Sequence, residues 1–348
     1  MSQAYDVTIG MPVYRSKPYL RESLLSALAQ SYDSIEVLVL DDGDDIGSMD
    51  VVRELQETHP RGSHIRIVAS PKNEGVGAAR NHIIDEAATP FLYFMDSDDT
   101  IEPETIALLM EQQRQYRAQM VFGSIETLEL RNGGMSVPHQ YPHLVLTRCD
   151  ELPAYAYSHY GTFQSSVCNV LIDVAFLRQT GMRFTDAAYW EDLVFLNELL
   201  PHVERAVLLP RITYHYQFRL NSLSQFQDRE VIDKSEVLKN VGCIERLKQF
   251  CKQLSHKPYA GFLSYALMMH DLYIVGHIVL KRRQLHPAFS CKEMQAVMKH
   301  PFGLSTILSL RRYRWRNVVL DSLSYMPSWL FLWVVWLFVK LKMKQKKK

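Results

Sequence analysis

The chain has 348 residues, 47% hydrophobic and 22% charged, a composition that fits a folded protein and excludes a disordered one. Its net charge of +1 hides an asymmetry: residues 1–110 carry 8 Lys/Arg against 19 Asp/Glu, whereas residues 299–348 carry 11 Lys/Arg and one acid, Asp321. The acidic front half argues against nucleic acid as a substrate, and the basic end suits an anionic surface. The five cysteines (149, 168, 243, 251, 291) form no CxxC pair, so neither a disulfide framework nor a zinc site is expected, and a reducing cytosol is. The start, MSQAYDVTIG, has no basic region leading into an apolar core, so no signal peptide is expected.

The first half alternates strand and helix. Tyr5–Tyr14 reads as a strand stopped by a tight turn at Pro12, and Lys17–Gln30 carries Leu20, Leu24, Leu25 and Leu28 at helical spacing. Ile35–Leu40 is a second strand ending in Asp41–Asp45 (DDGDD), followed by a helix over Ser48–His59 with Ser48 as its cap. Ile65–Ala69 is a third strand, and Gly75–Ala87 a third helix. Phe91–Phe94 (FLYF) is a buried strand running into Asp96, Asp98 and Asp99; a helix opened by Pro103 and a strand over Met120–Leu130 complete the series. Strand–helix units of this length predict an α/β fold, a mostly parallel sheet with helices on both faces.

Parallel strands place the loops Pro12–Arg15, Asp41–Asp45, Asn73–Asn81 (NEGVGAARN) and Asp96–Asp99 on one edge, where open α/β sheets bind ligands. Tyr14 offers a ring for stacking a planar base, and Asp42 accepts from a ring N–H. Gly75 and Gly77 admit a close backbone approach, and Arg80 supplies forked donors for phosphate. Asp96 suits ribose hydroxyls, and Asp98 a divalent metal bridging two phosphates. This inventory describes a nucleoside diphosphate carrying a leaving group. Each residue also has a purely structural reading: Tyr14 in the core, Arg80 paired with Glu86, Gly75 and Gly77 marking a turn.

Beyond residue 165, residues 166–183 read as a strand and a short helix ending at Gly181, and Tyr189–Leu200 as a helix with Glu191 and Asp192 in its first turn. Acids there are favoured by the helix dipole, a sufficient structural reason for them. Arg205–Ser224 reads as a strand and a polar loop, with His215 more naturally a hydrogen-bonded structural histidine than a ligand. Asp228–Leu254 is an amphipathic helix. Tyr259–Leu280 is a buried helix in which His270, Asp271 and His277 are satisfied core polarity and not metal ligands. Arg311–Arg316 (RRYRWR) is basic and aromatic, and Trp329–Val339 (WLFLWVVWLFV) precedes six lysines. A span needs about twenty apolar residues, so an interfacial or re-entrant anchor fits better than a crossing.

The order of PVY, DDG, NEGVGAARN and DSDD resembles the family 2 glycosyltransferases, over about residues 5–220. The resemblance implies the GT-A nucleotide-diphospho-sugar transferase fold, with a helical C-terminal extension here. The expected organisation is a catalytic domain over 1–225 (donor half 1–130, acceptor half 131–225), a helical region over 226–310 and a membrane-associating tail over 311–348. It implies metal-assisted transfer, with inversion, of a sugar from a nucleotide donor, usually a UDP-sugar, to a hydroxyl of a lipid-linked glycan in surface-polysaccharide synthesis. Carried over by position, Pro12, Tyr14, Asp42, Asn73, Arg80 and Asp96 hold the donor, and Asp98 with Asp96 the cation, Mn or Mg. Asp192 is the general base, Glu191 and Trp190 meet the acceptor, and Arg219 and Ser222 fold over the diphosphate. Arg15 stands where the family often has Asn, and Asp44 where Ser is usual. The expected location is peripheral, on the cytoplasmic face of the plasma membrane, with its anionic surface as a partner and nucleic acid not.

Two other readings remain in view. DSDDT also satisfies the DxDxT nucleophile loop of haloacid-dehalogenase-like phosphatases, although they carry it on their first core strand and here three strand–helix units precede it. A non-catalytic membrane-bound scaffold with a decayed sugar site would not be expected to keep both DSDD and WED.

Overall fold

Four strands with almost unbroken apolar sequence build one half of the main sheet: β1 (Val7–Val13), β2 (Ile35–Asp41), β3 (Ile65–Ala69) and β4 (Phe91–Phe94). Such runs suit strands covered on both faces, as parallel pairing with crossover helices requires. The crossovers are α1 (Lys17–Leu28), α2 (Ser48–Thr58) and α3 (Val76–Glu86), and α4 (Thr105–Tyr116) follows β4. The computed structural model describes residues 5–43, 46–129, 135–159, 163–187, 190–218, 230–310 and 313–345.

Two local expectations are corrected. Pro12 does not stop β1; it pairs with Leu40 inside the strand. Pairing of β1 with β4 ends at Gly10 and Phe94, and the next bond runs from Met95 N–H to the Gly10 carbonyl, so no partner remains there for the N–H that Pro12 lacks. Ser48 is not the cap of α2 but a buried helical residue, preceded by Gly47 at φ 81°, and its hydroxyl accepts from Ser16 N–H at 3.1 Å.

Past β4 the chain adds β5 (Thr100–Ile101), β6 (Met120–Glu129), β7 (Met135–His139), β8 (Leu144–Leu146), α5 (Glu151–Ser158), β9 (Val170–Asp173), α6 (Val174–Thr180), α7 (Glu191–Leu199) and β10 (Ala206–Phe218). The sheet order is β3-β2-β1-β4-β9-β6-β10-β5, with β7 on β6 and β8 on β10. It is therefore mixed. The β3-β2-β1-β4 half is parallel, whereas β9 lies antiparallel between β4 and β6, in the place an uninterrupted alternation would give to β6. Asp173 closes β9 and caps α6, accepting from Phe176 N–H at 2.8 Å, and Gly181 at φ 66° ends that helix as expected.

The first unit comprises Met1–Leu152, Gln164–Asp186 and Glu191–Ser222; the second comprises Pro153–Phe163, Ala187–Trp190 and Leu223–Lys348. The second contains β11 (Ile232–Asp233), α8 (Lys234–Lys252), α9 (Ala260–Leu280), β12 (Leu285–His286), α10 (Cys291–Val297), α11 (Leu304–Ser309), α12 (Arg314–Ser322) and α13 (Ser328–Gln345). The described parts of 226–310 and 311–348 fall in this one compact unit. Helix α9 is long and apolar enough to cross a membrane, yet 72% of its most apolar window is buried inside the protein. Its Asp271 pairs with the buried Lys248 at 2.9 Å, and burial pushes the His270 imidazole down to about 4. Among the described residues no group of three metal-ligating side chains is found.

Candidate active site

The ends of β1, β2 and β3 align, because Val13 pairs with Asp41 and Asp41 with Ala69. β4 stops beside Gly10, so the Asp96–Asp99 loop emerges next to the loop after β1. The Ser16 and Ser97 hydroxyls, 2.6 Å apart, tie those two loops together.

Asp42 is buried, and its two oxygens accept from the backbone N–H groups of Glu74 (2.9 Å) and Gly75 (3.0 Å). Burial raises its pKa, and those two hydrogen bonds oppose the rise. The carboxylate expected to read a base thus clamps the loop that opens α3. Asn73 is exposed in that loop, and a Cβ on Gly43 would lie 2.6 Å from its backbone nitrogen. Gly75 at φ 89° caps α3. Tyr14 is exposed, not part of the core, with the Arg15 guanidinium 5.3 Å from its ring centroid.

The NEGVGAARN stretch is used differently from the expectation. A Cβ on Gly77 would lie 2.4 Å from the Thr185 carbonyl oxygen, so the close approach it admits is by the chain's own backbone. Asn81 exchanges hydrogen bonds with the backbone of Phe184 at 3.0 and 2.9 Å. The Arg80 guanidinium lies 5.6 Å from the Phe184 ring centroid, and that ring stacks on Phe195 of α7 at 3.9 Å. Helix α3 is therefore a seat for residues 184–185.

Arg80 is buried and pairs with neither Glu86 nor an open surface; Arg66 takes Glu86. One terminal nitrogen donates to Glu191 at 2.7 Å and the other to Asp96 at 2.9 Å. Burial alone would lower its pKa, but the two carboxylates outweigh it and hold the guanidinium charged. The fork expected to meet phosphate thus joins the carboxylate at the end of β4 to the start of α7. Glu191, expected at the acceptor, is buried against Arg80, and burial raises its pKa despite that partner. Asp192 follows it, half-buried, one oxygen accepting from Leu193 N–H at 2.7 Å. Burial first, and the Glu191 charge second, push its carboxyl up to about 7.

The three acids after β4 separate into distinct roles. Asp99 is buried, accepting from the Tyr214 hydroxyl at 2.7 Å and from Gln217 N–H at 2.8 Å, while burial raises its pKa. The Tyr214 oxygen also accepts from Asp96 N–H at 3.2 Å. Tyr214 on β10 is thus a site residue that sequence reasoning missed, and its one signal was its place in the YHY stretch. Asp96 and Asp98 remain half-exposed. A hard divalent cation is commonly bound through one or two carboxylates with phosphate oxygens completing its sphere, and this all-oxygen pair fits that need. His215 is held between Glu126 (3.1 Å) and Glu102 (2.7 Å), as a structural histidine. Trp190, at φ 77°, belongs to the second unit, with its ring 5.5 Å from Tyr273 and 6.3 Å from His270. Arg219 and Ser222 lie outside the described residues.

The "processive diacylglycerol beta-glycosyltransferase" of Mycoplasma pneumoniae is 23% identical over 224 residues, 63% of this chain and 65% of that protein. The chain therefore spans slightly under two thirds of that relative. The "succinoglycan biosynthesis protein ExoO" of Rhizobium meliloti is 25% identical over 310 residues, covering 86% and 83% of the two chains. Among solved structures, S. aureus TarS 1-349 in complex with UDP-GlcNAc superposes with a TM-score of 0.70 at 16% identity, covering 98% of this chain and 92% of that one. At that identity the likeness shows the fold, which is the GT-A arrangement with a helical C-terminal region. The sequence pattern described as "Glycosyl transferase family 2" matches residues 8–178, so that stretch carries the family 2 domain and the chain is a glycosyltransferase.

Proposed function

We propose that the enzyme transfers a sugar, with inversion, from a nucleotide-diphosphate donor of the UDP-sugar class to a hydroxyl of a lipid-linked glycan during surface-polysaccharide synthesis. The observation that carries this reading is the buried Arg80 bridge, which sets Asp96 and the Glu191–Asp192 pair around one guanidinium. Asp192 takes the acceptor proton while the acceptor oxygen bonds to the anomeric carbon from the face opposite the diphosphate. The bond from that carbon to the diphosphate oxygen breaks, and its electron pair leaves with the nucleotide. A carboxyl held at about 7 is poised for this task, since it is ionised near neutrality yet basic enough to accept a proton. Asp96 and Asp98 are the residues that would hold Mn or Mg, which when bound offsets charge on the departing diphosphate. Tyr14, exposed in a loop on the same rim as the loop that carries Asn73, is the candidate to stack on the nucleobase. A panel of nucleotide-sugars, assayed for divalent-dependent release of nucleoside diphosphate, tests the reading. Release from at least one UDP-sugar, abolished by chelator, is expected; release from none overturns it.

A further inference from the structure

We propose that the outward face of α13 is a docking surface for an anionic lipid bilayer, with the helix lying along the interface and not crossing it. The helix has two apolar sides. Phe331 and Val335 are fully buried, and a Cβ on Gly276 of α9 would already lie 2.8 Å from a Val339 methyl. The opposite side carries Trp329, Trp333 and Trp336, spaced for one helical face and 72%, 56% and 43% exposed. A helix apolar all round is ordinarily enclosed all round, and this one leaves three indoles to solvent. Indole is the side chain that settles at the headgroup level of a bilayer, apolar body inward and N–H outward.

Charge names the occupant. Lys340 stands 3.9 Å over the Trp336 ring, five more lysines follow it, and no acid occurs after Asp321. The same chemistry recurs on α12, where Trp315 is exposed within the stretch RRYRWR. Anionic headgroups answer this pattern; a second copy of the chain would bring the same lysine run with no acid beyond Asp321 to meet it. Length excludes a crossing: the apolar part of α13, Ser328–Leu341, is shorter than the roughly twenty residues a span needs, and its inner side is already covered by protein. The inference does not depend on the donor or the reaction.

The test uses the full chain with phosphatidylcholine vesicles, with and without phosphatidylglycerol, read by co-sedimentation and by tryptophan emission. Wild type should sediment with the anionic vesicles, with blue-shifted emission, and only weakly with the neutral ones. The triple variant Trp329→Ser, Trp333→Ser, Trp336→Ser should lose at least tenfold in partitioning while keeping its melting temperature, because these side chains are exposed. A second variant with the six lysines from Lys340 to Lys348 changed to Gln keeps the indoles and should lose its preference for anionic vesicles. Equal binding by wild type and the lysine variant, or no binding by wild type, overturns the proposal. So does a lipid-free dimer that the tryptophan variant turns into monomer, which would make a second copy the occupant.

Discussion

Asp192 must be ionised to accept a proton, and burial beside Glu191 delays that ionisation to about pH 7. Turnover should therefore rise as pH increases through about 7 and level off above it. Asp192→Asn should remove that limb and lower turnover about 10²–10⁴-fold, the range for loss of a general base, while still binding nucleotide. The stability sign runs the other way. The folded pKa lies above the unfolded value of roughly 3.9, so the folded state holds an extra proton between them and loses stability as pH rises across that interval. The Asn variant should then melt higher than wild type above pH 7, which a thermal scan at two pH values checks. Arg80 gives a complementary prediction. Removing one member of a buried ionic cluster costs about 3–5 kcal/mol, so Arg80→Leu should unfold at lower denaturant. Arg80→Lys, a single point charge, should reach one carboxylate and not both. At the proposed cation site, Asp98→Ala should abolish divalent-dependent UDP binding with little change in melting temperature, since Asp98 stands in a loop and outside the core.

At the scale of elements, α3 and residues 184–185 act together. Alanine at position 77 would drive a Cβ into the Thr185 carbonyl, so Gly77→Ala should cost about 1–3 kcal/mol, typical of overpacking, and should lower turnover by displacing the start of α7. Circular dichroism and single-turnover rates separate the two effects. The first four strands were legible because their apolar runs are local signals, and three of the four loop motifs sit at aligned strand ends. What those loops bind was not legible. Arg80 and Glu191 are 111 positions apart, and no spacing rule reports such a pairing. The same limit hid β9, whose four residues read as a strand but whose place between β4 and β6 depends on partners from distant sequence. β5, with two residues, is too short for any period to show. Pro12 misled because its effect depends on which neighbour its missing N–H would have faced.

For the molecule as a whole, α13 contributes to the core of the second unit through Phe331 and Val335. Truncation after Met326 would remove Phe331 and Val335, and loss of a buried Phe alone costs about 3–5 kcal/mol. Such a truncation should lower the melting temperature of the second unit and aggregate, so surface substitution separates lipid binding from folding where deletion cannot. Arg80 has a further consequence, one of thermodynamic reciprocity. Its guanidinium is shared by the carboxylate chain from Asp96 to Glu191 and Asp192, so any charge arriving at Asp96 is felt where the proton of Asp192 is held. If bound nucleotide shifts the proton affinity of Asp192 by some factor, the proton must shift nucleotide affinity by the same factor. Donor binding in this enzyme is then also a titration: calorimetry in buffers of different ionisation heat should show protons taken up or released on nucleotide binding near pH 7, and Arg80→Leu should silence that exchange.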